Sequence, residues 1–479
     1  MKQNYSEKLE DFISEKKAAT KLINSVSNLL YTKGIELVLF RRHLIDENVS
    51  DILRLHQYAA NFVQKPINIF DSASLAASLE DMDLAPAKID IGKLTFEYLE
   101  QQDEFQSQKE FLNQKIGFIK NSNDKKQISK DVVLYGFGRI GRLCARELIK
   151  QAGKGQQLRL KGVIVRKIDA DSLDKRCALL RQDSVHGNFS SSIEINYEEL
   201  SVIINGQKIK FFDEESKNSL TEYGINDALL IDNTGVFKDY EGLKQHLHIK
   251  GVSKVLLTAP GSGIPNIVYG VNQEIVNLDK DIILSAASCT TNAIAPILKV
   301  ISDNNTIIKG HIETIHAYTN DQNLLDNMHS KNRRGRSAAV NMVITSTGAG
   351  KAVTKVIPEL SNKLTANAIR VPTPNGSLAI INLELKENMT FESVNELIRK
   401  AALEGPLVNQ IKFSMNPELV SSDIIGSAGA SIFDSPATIV SKDGKNIILY
   451  IWYDNEFGYT KQVIRLAKYI SKVRRLHYY

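Results

Sequence analysis

The chain has 479 residues, 43% of them apolar, which is material for at least two hydrophobic cores and so for two or three domains. Its 60 Lys and Arg stand against 55 Asp and Glu, and a net charge of +5 gives no electrostatic case for nucleic acid as a partner. Three cysteines, Cys144, Cys177 and Cys289, make neither a disulfide framework nor a metal-ligand spacing, so a reducing, cytoplasmic setting without a metal is expected.

The start, MKQNYSEKLEDFISEKK, is highly charged and has no apolar stretch, unlike a signal peptide. Residues 1–130 are rich in Glu, Lys, Gln, Leu and Asp and poor in Gly. Leu22, Val26 and Leu29 recur at helical spacing, as do Ile52, Leu55, Ala59, Phe62 and Val63 before Pro66. Ile91 to Ile119 reads as one long helix or two. This region is therefore expected to be mainly helical, and the polar segment 121–130 to be a linker. No run of about 18 apolar residues occurs anywhere, so no membrane-spanning helix is expected.

After residue 130 the pattern changes. DVVLYG, RIGRLCARELIK and LRLKGVIVRK alternate strand and helix, as in a parallel βαβ unit. ALLIDNTG, KVLLTAP and DIILSAAS are further strands of the same kind. IKGHIETIHAY and SLAIINLEL are longer and predict a second sheet. The fold class is α/β: a Rossmann-type domain over 131–288, joined by a C-terminal helix in 456–479, and an α+β catalytic domain over 289–455.

Gly136-Phe137-Gly138-Arg139-Ile140-Gly141 follows a predicted strand and opens a helix. Glycines there permit a tight turn and let backbone N–H groups approach a pyrophosphate, whose charge the helix N-terminus favours. The alternative is a packing turn. The next strand ends in Arg166 and Lys167, where an NAD site normally places an acid for the ribose 2′-OH; Asp169 follows two positions later. Cations there suit a 2′-phosphate, so NADP is a candidate beside NAD, unless they are two solvated basic residues at a strand end.

Ser288-Cys289-Thr290-Thr291-Asn292 lies between an apolar strand and the apolar helix AIAPILKVI. A cysteine at a helix N-terminus is expected to have a lowered pKa and to act as a nucleophile. Its polar flanks argue against a core position, whereas Cys144 and Cys177 sit in apolar helical patterns. His316 ends the strand HIETIHAYT, where it is either structural or a base lining the site.

These segments, with DSVHG (183–187), NTGVF (233–237), TAPG (258–261), ASCTTN (287–292), HAYT (316–319), RRGR (333–336), STGAGKAVTKVIPEL (346–360), RVPTP (370–374) and WYDNEFGY (452–459), resemble the phosphorylating glyceraldehyde-3-phosphate dehydrogenase family. They fall in that family's order across nearly all of 131–479. The resemblance implies that Cys289 attacks the aldehyde, that His316 takes its proton, and that phosphate releases the acyl group. It implies Thr319 and Arg370 for the substrate phosphate, and Ser288, Thr290, Arg334, Thr347 and Gly348 for inorganic phosphate. Thr234 would line the cofactor with the glycine turn, and Asn455 would orient the nicotinamide amide. Trp452 beside it is expected to pack. Without the resemblance, Arg333, Arg334 and Arg336 could be a solvated basic face.

Four departures stand out. Arg166 and Lys167 replace the acid, and Asn327-Met328 stand where NAD-preferring members often carry Leu-Pro; together they lean the expectation toward NADP. Ala293 replaces the second cysteine of the family motif. Residues 1–130 have no counterpart in ordinary members. The expected substrates are glyceraldehyde 3-phosphate and inorganic phosphate, in either the glycolytic or the gluconeogenic direction. A homotetramer is expected from the resemblance. Erythrose-4-phosphate dehydrogenase is the nearest alternative. A non-phosphorylating aldehyde dehydrogenase would need a water-activating Glu beside the cysteine. A regulatory or binding protein on the same scaffold would be expected to lack the Cys or the His.

Overall fold

The computed structural model describes residues 5–119, 128–151, 153–345 and 347–479. Of the segment expected as a linker, residues 121–127 lie outside the described residues, as does Ser346 of the 346–360 segment. The chain forms two compact units: Met1–Ser129 with Gln151–Gln157 and Val473–Tyr479, and Lys130–Lys150 with Leu158–Lys472.

The first unit is mainly helical. Helix Tyr5–Asn28 buries Ala18, Ala19, Leu22 and Val26 and runs into a π-turn that Gly34 closes at φ +72°. Asn48, Asn68, Asp90 and Ser107 each cap a following helix by accepting a hydrogen bond from a backbone N–H in its first turn. The segment from Ile91 to Ile119 is two helices, Ile91–Gln101 and Gln108–Ile116, each followed by a 3-10 turn. Unexpected from the periodicity is a four-stranded sheet in this unit, in the order Arg42–His43, Glu36–Leu39, Ala87–Asp90, Leu476–Tyr478. Its last strand is the chain's own end, parallel to Ala87–Asp90 with Leu476 opposite Ala87 and Tyr478 opposite Ile89. The C-terminal helix expected in 456–479 therefore stops short: it spans Phe457–Ile470, and Lys472 at φ +56° turns the chain out of it. Beyond that turn, the Arg475 guanidinium donates to the Gly155 carbonyl, Lys93 Nζ donates to the Tyr479 oxygen at 2.6 Å, and Arg41 stacks on the Tyr479 ring at 3.5 Å.

The second unit holds two eight-stranded sheets. In the first, six parallel strands run in the order Ile283–Ser285, Val252–Leu257, Ala228–Asp232, Lys130–Tyr135, Leu158–Ile164, Gln207–Phe212, and an antiparallel pair completes the edge. The strands read as continuous apolar runs because helices cover both faces. The chain moves outward from Lys130–Tyr135 through Leu158–Ile164 to Gln207–Phe212. It then returns to the opposite side at Ala228–Asp232, which opens a crevice beyond the carboxyl ends of two adjacent strands. Helix Phe457–Ile470 packs on Arg139–Lys150, with Lys461 paired to Glu147.

The second sheet is mixed and contains the long strands Ile307–Ala317 and Ser377–Leu385. Its core is built with helices Cys289–Asn304, Ala349–Val356 and Phe391–Leu403. Along Ile307–Ala317 the buried residues Ile312, Thr314 and His316 alternate with less buried ones. His316 thus ends the row that faces the helix beginning at Cys289. No helix among the described residues is long and apolar enough to cross a membrane.

Candidate active site

The crevice of the first sheet begins at the glycine turn, and its three glycines are required for three different reasons. Gly136 has φ +89°, and a Cβ there would lie 2.8 Å from Thr234 Cγ2. A Cβ on Gly141 would lie 2.3 Å from the Gly136 carbonyl oxygen, so the helix can start this close to the turn only without one. A Cβ on Gly138 would meet nothing within 4 Å; the space above it is open. A tight turn, a close helix start and an open approach are what a dinucleotide pyrophosphate needs, so the residues present fit that group. Phe137 is buried edge-on against Phe211, and Ile140 is half-buried in the first helical turn. Thr234 is locked to Asp232, which accepts from its backbone N–H at 2.8 Å and its hydroxyl at 2.7 Å.

Arg139 does not point its charge into the crevice. Its Nε donates to Glu456 at 3.0 Å and its Nη1 to Asp183 at 2.5 Å. Burial works against the charge, but these two carboxylates raise the guanidinium pKa above its ordinary value. What Arg139 can offer a phosphate is therefore its backbone N–H. Arg166 and Lys167 are exposed just past strand Leu158–Ile164. Asp169 is occupied elsewhere. It caps helix Ala170–Arg181, accepting from Ser172 N at 2.8 Å, and this bond lowers its pKa.

Cys289 is the first residue of its helix, and Ser288 caps it by accepting from Thr291 N at 3.0 Å. Cys289 Sγ lies 3.7 Å from His316 Nε2. His316 Nδ1 is 2.6 Å from the Ala317 carbonyl, which can only accept. The proton therefore sits on Nδ1, and Nε2 faces the thiol with a lone pair. Burial pushes the His316 pKa down to about 4, and Arg370 adds to the shift. Burial also pushes the thiol up, against the Thr290 hydroxyl and Arg370, rather than down as expected from its helix position. The free pair is neutral on both sides.

Two guanidiniums stand over this pair. Parallel register sets Arg370 directly beside His316 on the neighbouring strand. Its Nη1 donates to the Ala317 carbonyl and to Thr319 Oγ1, both at 2.9 Å, while its buried Nε has no partner among the described residues. Arg334 is 6% exposed and reaches Asp321 and, at 3.2 Å, Thr345 Oγ1. Asp321 also accepts from the Thr319 hydroxyl, so one exposed carboxylate bridges the groups expected at the two phosphate positions. Gly348 is exposed, with open space where a Cβ would be, and Thr347 accepts from Ala349 N at 3.1 Å. The Ser288 and Thr290 hydroxyls are engaged within the chain, Ser288 by its capping role and Thr290 by Tyr453 at 3.1 Å. Arg333 and Arg336 are exposed, and Arg336 pairs with Asp326.

Sequence reasoning missed Tyr453, Ser377 and Asp321. Tyr453 falls in phase with buried Ile447, Leu449 and Ile451, and a tyrosine in such a row needs a polar partner, which was the available signal. Ser377 accepts from Ala317 N and donates to Asn455 Oδ1, both at 3.0 Å, and so fixes the flip of that amide. Trp452 donates from Nε1 to Asp434 at 2.9 Å. No metal-binding cluster occurs among the described residues.

Two family models match this chain: the glyceraldehyde 3-phosphate dehydrogenase NAD binding domain over residues 130–240 and the C-terminal domain of the same enzyme over 288–455. A glyceraldehyde-3-phosphate dehydrogenase-like protein of Pseudomonas aeruginosa (strain UCBPP-PA14) is 43% identical over 459 residues, 94% of this chain and 98% of that protein. Glyceraldehyde-3-phosphate dehydrogenases of Neurospora crassa and Clostridium pasteurianum are 39% and 40% identical over 71% and 72% of this chain, and 97% and 99% of their own lengths. The first match is long enough to run through most of the N-terminal unit, and the other two are not. With both domain models matched in order and relatives covered over nearly their whole length, the chain belongs to the glyceraldehyde 3-phosphate dehydrogenase family and is an oxidoreductase that uses a nicotinamide dinucleotide.

Proposed function

We propose that the chain is a phosphorylating glyceraldehyde-3-phosphate dehydrogenase, with Cys289 as nucleophile and His316 as base. The observation that carries this reading is the neutral Sγ–Nε2 pair at 3.7 Å under Arg370, whose buried Nε lacks a partner. A buried donor left unpaired on a cation calls for an anion, and a phosphorylated aldehyde supplies one. His316 Nε2 takes the thiol proton as Sγ bonds to the aldehyde carbon and passes it to the carbonyl oxygen, giving a hemithioacetal. His316 Nε2 then takes the hydroxyl proton as hydride leaves the same carbon, and a thioester forms on Cys289. When bound between the glycine turn and Asn455, an oxidised nicotinamide dinucleotide would supply the acceptor for that hydride. Inorganic phosphate attacks the thioester carbon, the C–S bond breaks, and 1,3-bisphosphoglycerate leaves with Cys289 restored. The Cys289 backbone N–H at the helix start and the His316 ring are placed to hold the carbonyl oxygen.

Thr319 and Arg370 take the substrate phosphate; Arg334, Thr347 and Gly348 take inorganic phosphate, with Ser288 and Thr290 shaping the same end of the helix. In this reading Asp321 occupies the guanidinium that an anion would otherwise fill, and it yields when the anion binds. Asn455 orients the nicotinamide amide. NAD and NADP are both accepted, with a lean to NADP: Asp169 is committed to a helix cap, while Arg166 and Lys167 are exposed beside the expected ribose position. Leu324, Leu325, Met328, Val340 and Met342 are at least 73% exposed along one loop, which supports a homo-oligomer, a tetramer by family membership.

The test is a steady-state assay of reduced cofactor formation from glyceraldehyde 3-phosphate, with and without inorganic phosphate, for wild type and Cys289→Ser. Turnover that needs phosphate and vanishes in the variant is the expected result. Turnover without phosphate, or retained in Cys289→Ser, refutes the mechanism. Running each cofactor, and erythrose 4-phosphate beside the triose, decides both preferences; a strong preference for NAD removes the lean to NADP.

A further inference from the structure

Between the glycine turn and Asn455 lies a buried polar cluster that the mechanism does not use. Its centre is His186 of the DSVHG segment, whose side chain is 4% exposed. Nε2 is 3.0 Å from Asp454 Oδ2 and 3.1 Å from Asn375 Nδ2, and Nδ1 is 3.3 Å from Arg139 Nη2. The carboxylate can only accept and the guanidinium can only donate, so Nε2 donates to Asp454 and Nδ1 faces the Arg139 N–H as an acceptor. Asp183 Oδ1 and Glu456 Oε2 lie farther from Nδ1, at 3.6 and 3.7 Å.

Each neighbour of the ring belongs to a different part of the cofactor crevice. Arg139 opens the helix of the glycine turn and also holds Asp183 and Glu456. Asp454 accepts from the backbone N–H groups of Glu456 and Phe457, at 2.9 and 2.8 Å, and from Gly426 N at 2.8 Å. It therefore shapes the turn whose middle residue is Asn455. Asn375 donates to Asp454 Oδ1 at 2.8 Å, two residues before the Ser377 that sets the Asn455 amide. Although burial opposes its ionisation, Asp454 is held below its ordinary pKa by His186, Asn375 and Gly426. An imidazole is suited to this place because its two nitrogens reach Asp454 at one edge and Arg139 at the other.

We propose that His186 is a positioning residue that couples the Asn455 turn to the glycine turn, so that both ends of a dinucleotide are held in register. This rests on the reading that Asn455 faces the nicotinamide amide. The readout is the ratio of two affinities measured by calorimetry on the full chain: one for the reduced dinucleotide, one for adenosine diphosphate ribose, which lacks the nicotinamide. His186→Ala is expected to weaken the dinucleotide about tenfold and adenosine diphosphate ribose less than about twofold, as suits a shared hydrogen-bond network. His186→Gln keeps a donor toward Asp454 but cannot also accept across a ring, so it should shift the ratio the same way by about threefold. It carries the test alone should the alanine variant fail to fold. Equal weakening of both ligands, or of neither, overturns the coupling. Asn455→Ala separates the two claims. If it leaves the ratio unchanged, the reading of Asn455 falls and the coupling with it; if it shifts the ratio while the His186 variants do not, only the coupling falls.

Discussion

Gly138→Ala separates folding from cofactor binding, because the structure sets opposite outcomes for the two. Gly138 does not have a positive φ, and an added Cβ meets nothing within 4 Å. The free protein should therefore fold normally, and the loss of a flexible glycine from the unfolded chain should stabilise it by about 0.4–1 kcal/mol. The same methyl would stand where a pyrophosphate approaches the backbone. Displacing the phosphate from one backbone donor removes a charge-assisted hydrogen bond of about 1.5–3 kcal/mol. That corresponds to roughly 10- to 150-fold in Kd. Thermal melting without cofactor, followed by calorimetric titration with the dinucleotide, reads both quantities on one sample. Gly141→Ala makes the contrast: its Cβ would lie 2.3 Å from the Gly136 oxygen, so that variant should lose melting temperature as well. A Gly138→Ala protein that binds dinucleotide as wild type does would refute the assignment of the open space to the pyrophosphate.

Three further outcomes follow from particular side chains. His316→Asn should lower kcat by about 10²- to 10⁴-fold, the usual worth of a positioned base, while dinucleotide affinity changes little; a loss under tenfold would remove His316 from the proton transfer. His56 is buried and neutral, its Nδ1 at 2.9 Å from the Ile52 carbonyl and its Nε2 at 3.0 Å from Ser72, and burial lowers its pKa below 6.5. The unfolded chain therefore binds the extra proton, and stability present above pH 6.5 is lost as pH falls toward the folded value, by at most about 1.4 kcal/mol per pH unit. Melting between pH 7 and 5 should show a steeper loss in wild type than in His56→Gln, and equal slopes would contradict it. Deleting residues 476–479 removes an edge strand and the Tyr478–Glu97 bond, a loss of roughly 3 kcal/mol. Limited proteolysis within residues 5–119 should then quicken by about 100-fold where opening is fast relative to cleavage, and an unchanged rate would show that the strand adds nothing.

The state of Cys289 is decided by magnitudes. A helix N-terminus favours an anion by about 0.3–1 kcal/mol, less than one pKa unit. Burial can move a group by several units. At Cys289 burial wins, and the thiol rises. The same burial, with Arg370 alongside, keeps His316 unprotonated well below neutral pH. In the proposed mechanism, reactivity then depends on proton transfer across the 3.7 Å gap during attack, rather than on a standing thiolate. Under the same proposal Arg370 acts twice: it offers a phosphate a buried donor, and it lowers the pKa of its strand neighbour His316.

Residues whose position follows from a local rule were legible in the sequence. A glycine before a helix, a cysteine after a strand and a histidine at a strand end are set by their immediate neighbours, and strand alternation placed the rest of each sheet. Side chains that serve two elements at once were not. Ser288 and Asp169 read as ligand groups or candidate ligand groups, yet each hydroxyl or carboxylate caps a helix that begins at the next residue. The site is where such double use concentrates, since the helix starts that attract anions are the ones that need caps. The end of the chain failed for a different reason. Leu476–Tyr478 is too short to show a period, and its partner Ala87–Asp90 lies almost the whole chain away. Nothing local marks it as a strand. Only the sheet edge it covers, with Lys93, Arg41 and Glu97 waiting for its last two residues, makes it one. The first unit is therefore built from residues near both ends of the sequence, and removing 476–479 should loosen it without touching the strands that carry His316 and Arg370.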